Sequence, residues 1–449
     1  MITEQVARFV SNTGYQDLPD QVVDKVKMCI LDWLGCLLAA VDEPVAVITR
    51  KLVQGWGGNE QARVAGLPVK VPVPNAALVH GVMAHTIEFD DIYKDALYHP
   101  GAPVISAAFA VADYLGAPGT ELVRAVALGY EVSNRLGAAV NPSHYRFWHT
   151  TGTVGTFGAA VAAAVLLNLS STQIEECLGL AGTQAAGLWQ AGGTMGKPFH
   201  AGKAAMNGVL AALLVKEGFR GPHQIIEGEK GFAAAMADTL NPSLIFAELG
   251  KNYTIMDVTH KYYPSCGHTH AAIDAALGIV DTYRVRPEEI RQIKVDTYRA
   301  ALEVAGNPSP ITPYEAKFSV PYCVAAAVMY GGLTLADFTE SKLLDPEIRR
   351  LMRNTLMSVD EKIQAAFPGK RGARVVIDTA RGTFSHAVSC RRGDPENPLT
   401  WSEIKNKFKA LAGPYLKPEN TATVIGLVLE IDRFPDVSRV AEQIFGLER

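Results

Sequence analysis

The stretch "GTVGTFGAAVAAAVLLNLS" (152–170) carries no charge, and its apolar residues do not alternate with polar ones. Neither a surface amphipathic helix nor a half-buried strand fits that pattern. Its small residues keep it less hydrophobic than a membrane span, so it reads as a helix buried inside a protein core. Ala and Gly let neighbouring helices approach closely, which predicts a tightly packed helical domain around it.

The flanking sequence agrees. "DLPDQVVDKVKMCILDWLGCLLAAV" (17–41) repeats its apolar residues at helical spacing behind a Pro and an Asp suited to a helix start. "APVISAAFAVADYLGAP" (102–118) and "GTELVRAVALGYEVSNRLGAAV" (119–140) are further helices with Gly near their ends. "SSTQIEECLGLAGTQAAGL" (170–188) opens on an N-cap run, and "GKPFHAGKAAMNGVLAALLVKEGF" (196–219) continues the series.

The pattern changes after about Ser243. "QIKVDTYRAALEV" (292–304) and "ARVVIDTARGTFSHAV" (373–388) alternate in period two and read as strands. "HTHAAIDAALGIVDTY" (268–283) and "DPEIRRLMRNTLMSV" (345–359) read as helices around them, and "TWSEIKNKFKALAG" (400–413) and "DVSRVAEQIFGL" (436–447) are helical again. The expectation is a mainly α chain. A helical domain takes residues 1–257 and 397–449, and a smaller inserted α+β domain takes 258–396.

The chain has 449 residues, 48% apolar and 20% charged, with net charge −4. Two domains are the prior at this length. No Lys/Arg block suits nucleic acid or an anionic membrane. Six scattered cysteines without C-x-x-C spacing suit free thiols in a reducing compartment, and a cytoplasmic location is expected.

Ionisable residues concentrate in four clusters. "AHTIEFDDIYKDALYHPGAP" (84–103) holds His85, Glu88, Asp90, Asp91 and His99. A helix capped near Asn75 and running towards Asp91 would put His85 and Glu88 on one face. Carboxylates at a helix C-terminus oppose its dipole and need partners. Pro100 holds His99 extended, so an acid cluster facing a fixed histidine could set one imidazole tautomer. The bland alternative is a solvated helix end.

"HYRFWHTTGTVG" (144–155) sets Tyr145, Arg146 and His149 before a helix that Thr150 or Thr151 could cap. A helix start is a ready anion site, and Arg146 could add a bidentate carboxylate grip. An interface loop is the alternative. "TMGKPFHAGKAAMNG" (194–208) crowds Lys197, His200 and Lys203 at the positive end of a helix dipole, a conflict that a bound carboxylate would resolve. Solvent-facing lysines are the alternative there. "HKYYPSCGHTHAAIDAAL" (260–277) places Lys261 near another anion-binding turn. Its Cys266, His268 and His270 lack the companion pair of a structural zinc site, so no metal is expected.

No phosphate loop, nucleophile elbow, dinucleotide fingerprint or H-E-x-x-H appears. The histidines and cations therefore point to acid–base chemistry on a small anion, without a cofactor.

"AHTIEFDD…HPGAPV", "HTTGTVGTFGAA", "KPFHAGKAAMNGVLAALL", "KYYPSCGHTHAAIDAA" and "EAKFSVPYC" together resemble the MmgE/PrpD superfamily. Its members include 2-methylcitrate dehydratase, cis-aconitate decarboxylase and iminodisuccinate epimerase. The resemblance implies a helical domain built from both chain ends, an inserted α+β lid, a cofactor-free site in the crevice between them, and a homodimer. It assigns His99, His149, Lys197 and Lys261 as catalytic. Tyr145, Arg146, His200 and Cys266 join them as substrate-binding residues, and His85, Glu88, Asp90 and Asp91 as their support.

The pattern also departs from the decarboxylase type. That type has Asp at Glu88, Thr at Ile92, His at Cys266 and an active-site Tyr near Leu302. The expectation is an isomerase of the iminodisuccinate-epimerase type acting on a small di- or tricarboxylate. A lyase of the 2-methylcitrate dehydratase type is the alternative, and a non-catalytic carboxylate-binding protein is the second.

Overall fold

The computed structural model describes residues 1–446 and divides into two compact units, Met1–His260 with Thr400–Arg449, and Lys261–Leu399. No helix among the described residues is long and apolar enough to cross a membrane.

The first unit is helical: α1 (Ile2–Asn12), α2 (Asp20–Ala39), α3 (Pro44–Trp56), α4 (Val73–Thr86), α5 (Gly101–Leu115), α6 (Gly119–Val140), α7 (Thr150–Leu166), α8 (Ser171–Gln184) and α9 (Gly196–Lys216). Every residue of α7 is buried, which is why its sequence shows no polar face. The capping box is real at α8, where Ser170 Oγ accepts from Gln173 N–H and Gln173 Oε1 accepts from Ser170 N–H.

Close helix contact needs small residues, and α4 and α9 give the clearest case. A Cβ on Gly81 would lie 2.7 Å from Gly202 Cα, so the two backbones touch there. Three late helices, Trp401–Ala412, Pro418–Leu429 and Val437–Phe445, complete the unit. Trp401–Ala412 packs on α2, and Val437–Phe445 packs on α5. Leu447, the end of the second predicted stretch, lies outside the described residues.

Helix α4 differs from expectation at both ends. It begins at Val73, so Asn75 lies inside its first turn and does not cap it. It stops at Thr86, because Glu88 adopts a left-handed φ of 61°. Residues 88–91 therefore form a turn, and Ile92–Tyr93 is a short strand, β1, antiparallel to β2 (Val258–Thr259).

The second unit holds a four-stranded sheet of order β4-β3-β5-β6, from β3 (Ile290–Thr297), β4 (Thr355–Val359), β5 (Ala373–Thr379) and β6 (Gly382–Val388). β3 pairs parallel with β4 and antiparallel with β5, and β5–β6 is a hairpin. Ile293, Val295, Val375 and Ile377 are buried in the core of this unit, together with residues of the His270–Tyr283 and Val320–Tyr330 helices.

Two expectations need correction here. The strand predicted over 292–304 ends at Thr297 and gives way to a helix, Arg299–Ala305. The helix predicted over 345–359 ends at Arg353, and its last residues form β4, whose side chains are mostly exposed at the sheet edge.

Candidate active site

In the first unit the turn after α4, the start of α5, the N-terminus of α7 and the first turns of α9 bring four imidazoles together. His85, on the last turn of α4, is fully buried and its Nδ1 lies 2.7 Å from Asp90 Oδ2. His99 Nδ1 lies 3.3 Å from the same oxygen. The His85 ring sits 4.8 Å from that of His99 and is stacked 5.5 Å from that of His149. His149 Nδ1 in turn lies 3.3 Å from His200 Nδ1.

These positions follow from local structure. His149 is itself the N-cap of α7, so neither Thr150 nor Thr151 takes that place. Its N–H donates to Gly187 O at 2.9 Å, and its ring stacks on Trp189 with centroids 4.8 Å apart. The His99 N–H donates to Thr151 Oγ1 at 3.3 Å.

Asp91 does not support a histidine. Its carboxylate accepts from Gly101 N–H at 2.9 Å and from the Tyr130 hydroxyl at 2.8 Å. A side chain at 101 would collide with both Asp91 and Tyr130, so glycine is required. Asp91 thus clamps α5 to α6 two residues beyond His99. Burial first, then the nearby Asp32 and Asp90 charges, push its pKa up to about 7.

The same environment sorts the ionisable groups. Burial opposes ionisation of Asp90, but the two imidazoles beside it outweigh that and hold its carboxyl well below the usual carboxylate range. His149 is pushed the other way. Burial, and then the charges of His85, Lys197, His99 and His200, keep its ring neutral well below the ordinary histidine pKa. Burial and then Lys203 bring His200 down to about 4.

Lys197 lies buried in the first turn of α9, where a cation opposes the helix dipole. It forms an ion pair with the buried Glu88. An internal carboxylate therefore stands where the sequence suggested a bound one. Lys203 donates to Ala186 O at 2.7 Å, and burial lowers its pKa to about 8.

His85, Asp90 and His99 present ligand-type atoms within 4.8 Å of one another. Both imidazoles address one carboxylate oxygen at hydrogen-bond distance, an arrangement that shares protons.

Arg146 departs from expectation. Its side chain is 65% exposed, lies over the Phe147 ring and reaches Asp238 at 4.0 Å, away from the imidazoles. Tyr145 packs edge-on against Trp189, itself stacked on His149.

Lys261 and Cys266 belong to the second unit, and both are buried. Cys266 N–H donates to Lys317 O at 2.8 Å. In that unit the sequence reading names His268 only to set a metal aside, and it misses Tyr298 and Arg391. His268 Nδ1 lies 2.7 Å from the Tyr298 hydroxyl, and burial, with Arg371 and Arg391, lowers the His268 pKa to about 3. Arg391 is fully buried, held by Asp394 and by Gly267 O. In the first unit the sequence reading misses Trp189 and Tyr130, and it names Thr151 only as a possible helix cap. Only Trp189, a lone aromatic in a Gly-rich loop, offered a signal.

The MmgE/PrpD N-terminal domain model matches residues 4–244, and the MmgE/PrpD C-terminal domain model matches residues 263–431. Human cis-aconitate decarboxylase is 28% identical over 99% of this chain and 95% of its own. Cis-aconitate decarboxylase of Aspergillus terreus is 26% identical over 98% and 95%. The 2-methylcitrate dehydratase of Salmonella typhimurium is 23% identical over 82% and 81%. With two family models covering most of its length, this chain belongs to the MmgE/PrpD family.

Proposed function

We propose that the chain is a lyase that removes a proton beside a carboxylate of a small di- or tricarboxylic acid. One observation carries this: the site holds two kinds of histidine. His149 is kept neutral by burial and neighbouring charge, while His85 and His99 share an ionised carboxylate, Asp90. A ring kept neutral, beside rings that contact a carboxylate, offers one substrate both a proton acceptor and a proton donor.

His149 is then the general base that takes the substrate proton. His99, partly open to solvent and backed by Asp90, is the acid that protonates the leaving group as it departs. Lys197 polarises the departing hydroxyl, a neutral group on which negative charge develops as its bond breaks. Lys261 completes this set by family resemblance. We take the functional unit to be a homodimer on the same ground, which sedimentation tests.

The relatives named above are lyases, and this moves the preference from the isomerase expected from sequence. The isomerase reading keeps one support, the departures at Glu88, Ile92 and Cys266 from the decarboxylase pattern. Turnover of a panel of di- and tricarboxylates in deuterated water, followed by NMR, separates the readings. An unsaturated product, with or without release of CO2, is the expected result. Deuterated, epimerised substrate without alkene would overturn the lyase in favour of the isomerase. Binding without turnover would leave a carboxylate-binding protein.

A further inference from the structure

We propose that Glu88 is a specificity-determining residue: its ion pair with Lys197 gives the Lys197 subsite a built-in carboxylate, so the subsite selects a neutral hydrogen-bonding group of the substrate over an additional carboxylate. The inference rests on the polycarboxylate reading above and adds to it which charge the substrate carries.

Lys197 starts from an unfavourable position. It is buried in the first turn of α9, where the dipole and the loss of water both disfavour an ammonium. An empty site built to receive a substrate carboxylate would leave that cation waiting for its ligand. Here the chain supplies the anion itself from the turn after α4.

Glu88 pays for that role in backbone conformation. Its φ of 61° is a region that glycine and asparagine enter readily and glutamate rarely does. Residues held there cluster at sites where the strained geometry has a use. Here it turns the carboxylate back towards α9, whereas a continued helix would carry it elsewhere.

The pair also stands inside the reacting cluster. The Lys197 charge is felt at His149, and Asp90, two residues after Glu88, contacts His85 and His99. A substrate carboxylate arriving at Lys197 would meet Glu88 already there. Two carboxylates in a buried setting repel unless one takes up a proton. A hydroxyl, amide or imine nitrogen at the same place meets no such penalty and can hydrogen-bond to either partner.

The test compares wild type with Glu88→Gln and Glu88→Asp. The glutamine keeps the shape and removes the charge, and the aspartate withdraws the carboxylate by roughly one bond length, about 1.5 Å. Binding of tricarballylate and of succinate is measured by titration calorimetry in buffers of different ionisation heat, with folding checked by circular dichroism. We expect Glu88→Gln to raise the affinity ratio of tricarballylate to succinate at least tenfold, and Glu88→Asp to raise it less. We also expect wild type to take up about one more proton per tricarballylate bound than Glu88→Gln does.

A ratio unchanged within twofold in a folded variant overturns the proposal. So does loss of both ligands from folded Glu88→Gln. If the glutamine variant does not fold, an unchanged ratio in Glu88→Asp overturns it. Wild type that binds neither acid refutes the polycarboxylate reading itself, whereas intact binding with an unchanged ratio refutes only the role of Glu88.

Discussion

Asp90 sits between two imidazoles that both reach one of its oxygens, and it is buried with His85 while His99 is half-buried. It sets which histidine can carry a proton, because a protonated ring beside an ionised carboxylate is favoured and one without it is not. Asp90→Asn keeps the shape and removes the charge. We expect kcat to fall by about 10²–10⁴, the usual weight of one acid–base partner, with KM changed much less. Steady-state kinetics on the substrate found by the panel checks this, and an unchanged kcat would remove His99 from its role. At this scale much was legible. Histidine beside acid and lysine at a helix start are chemical anomalies, and anomalies stand out in a sequence. Arg146 was misjudged because a cation next to a helix start looks the same whether it points inward or, as here, towards Asp238. Asp91 was misjudged because its partners, Gly101 and Tyr130, leave no trace of pairing in the sequence.

Among the elements, α4 and α9 do most to position the candidate site. Gly81 lies one turn before His85, and Gly202 lies a little over one turn after Lys197, so their backbone contact fixes the spacing between the two ends that carry Glu88 and Lys197. A Cβ on Gly202 would run into the Leu78 carbonyl, which is backbone and cannot rotate away. Gly202→Val should therefore destabilise the fold by about 1–3 kcal/mol, as overpacking does, and reduce kcat/KM with it. Denaturant unfolding and kinetics on the same preparation test both parts. Ala- and Gly-rich helices such as α7 were readable because nothing else accounts for an uncharged stretch of that length. The end of α4 was not. "TIEFDDI" contains no glycine or proline to mark a stop, and the carboxylates in the turn are held by buried histidine and by Lys197. β4 was unreadable for a different reason. An edge strand with mostly exposed side chains shows no alternation to detect.

For the molecule as a whole, buried neutral histidines make acid the weak point. His80 in the first unit lies between Trp33 and Phe445, and neither ring nitrogen has a hydrogen-bond partner among the described residues. Burial lowers its pKa to about 3, and burial with two arginines does the same to His268 in the second unit. A folded pKa below the unfolded value of about 6.5 means that the unfolded chain binds the proton first. Stability is thus fully present above about pH 6.5 and falls below it, by about 1.4 kcal/mol per pH unit for each such histidine until the folded pKa is reached. We expect Tm to drop steeply between pH 6.5 and 4.5, and His80→Leu to flatten part of that slope. Calorimetry across this range decides it, and an equally steep slope in the variant would remove His80 from the account.

The helical unit also has an order of assembly written into it. Lys407, in the Trp401–Ala412 helix, pairs with the buried Asp32 of α2 at 2.6 Å and donates to the Phe89 carbonyl at 2.8 Å, inside the turn that bears Glu88 and Asp90. The whole of Lys261–Leu399 lies between these partners in the chain. On the ribosome, that continuous unit emerges and can finish folding while the earlier helices still wait for Lys407. Until it arrives, Asp32 lacks its ion-pair partner and the face of α2 that the Trp401–Ala412 helix covers lies open. Translation past residue 407 is therefore what completes the reactive turn.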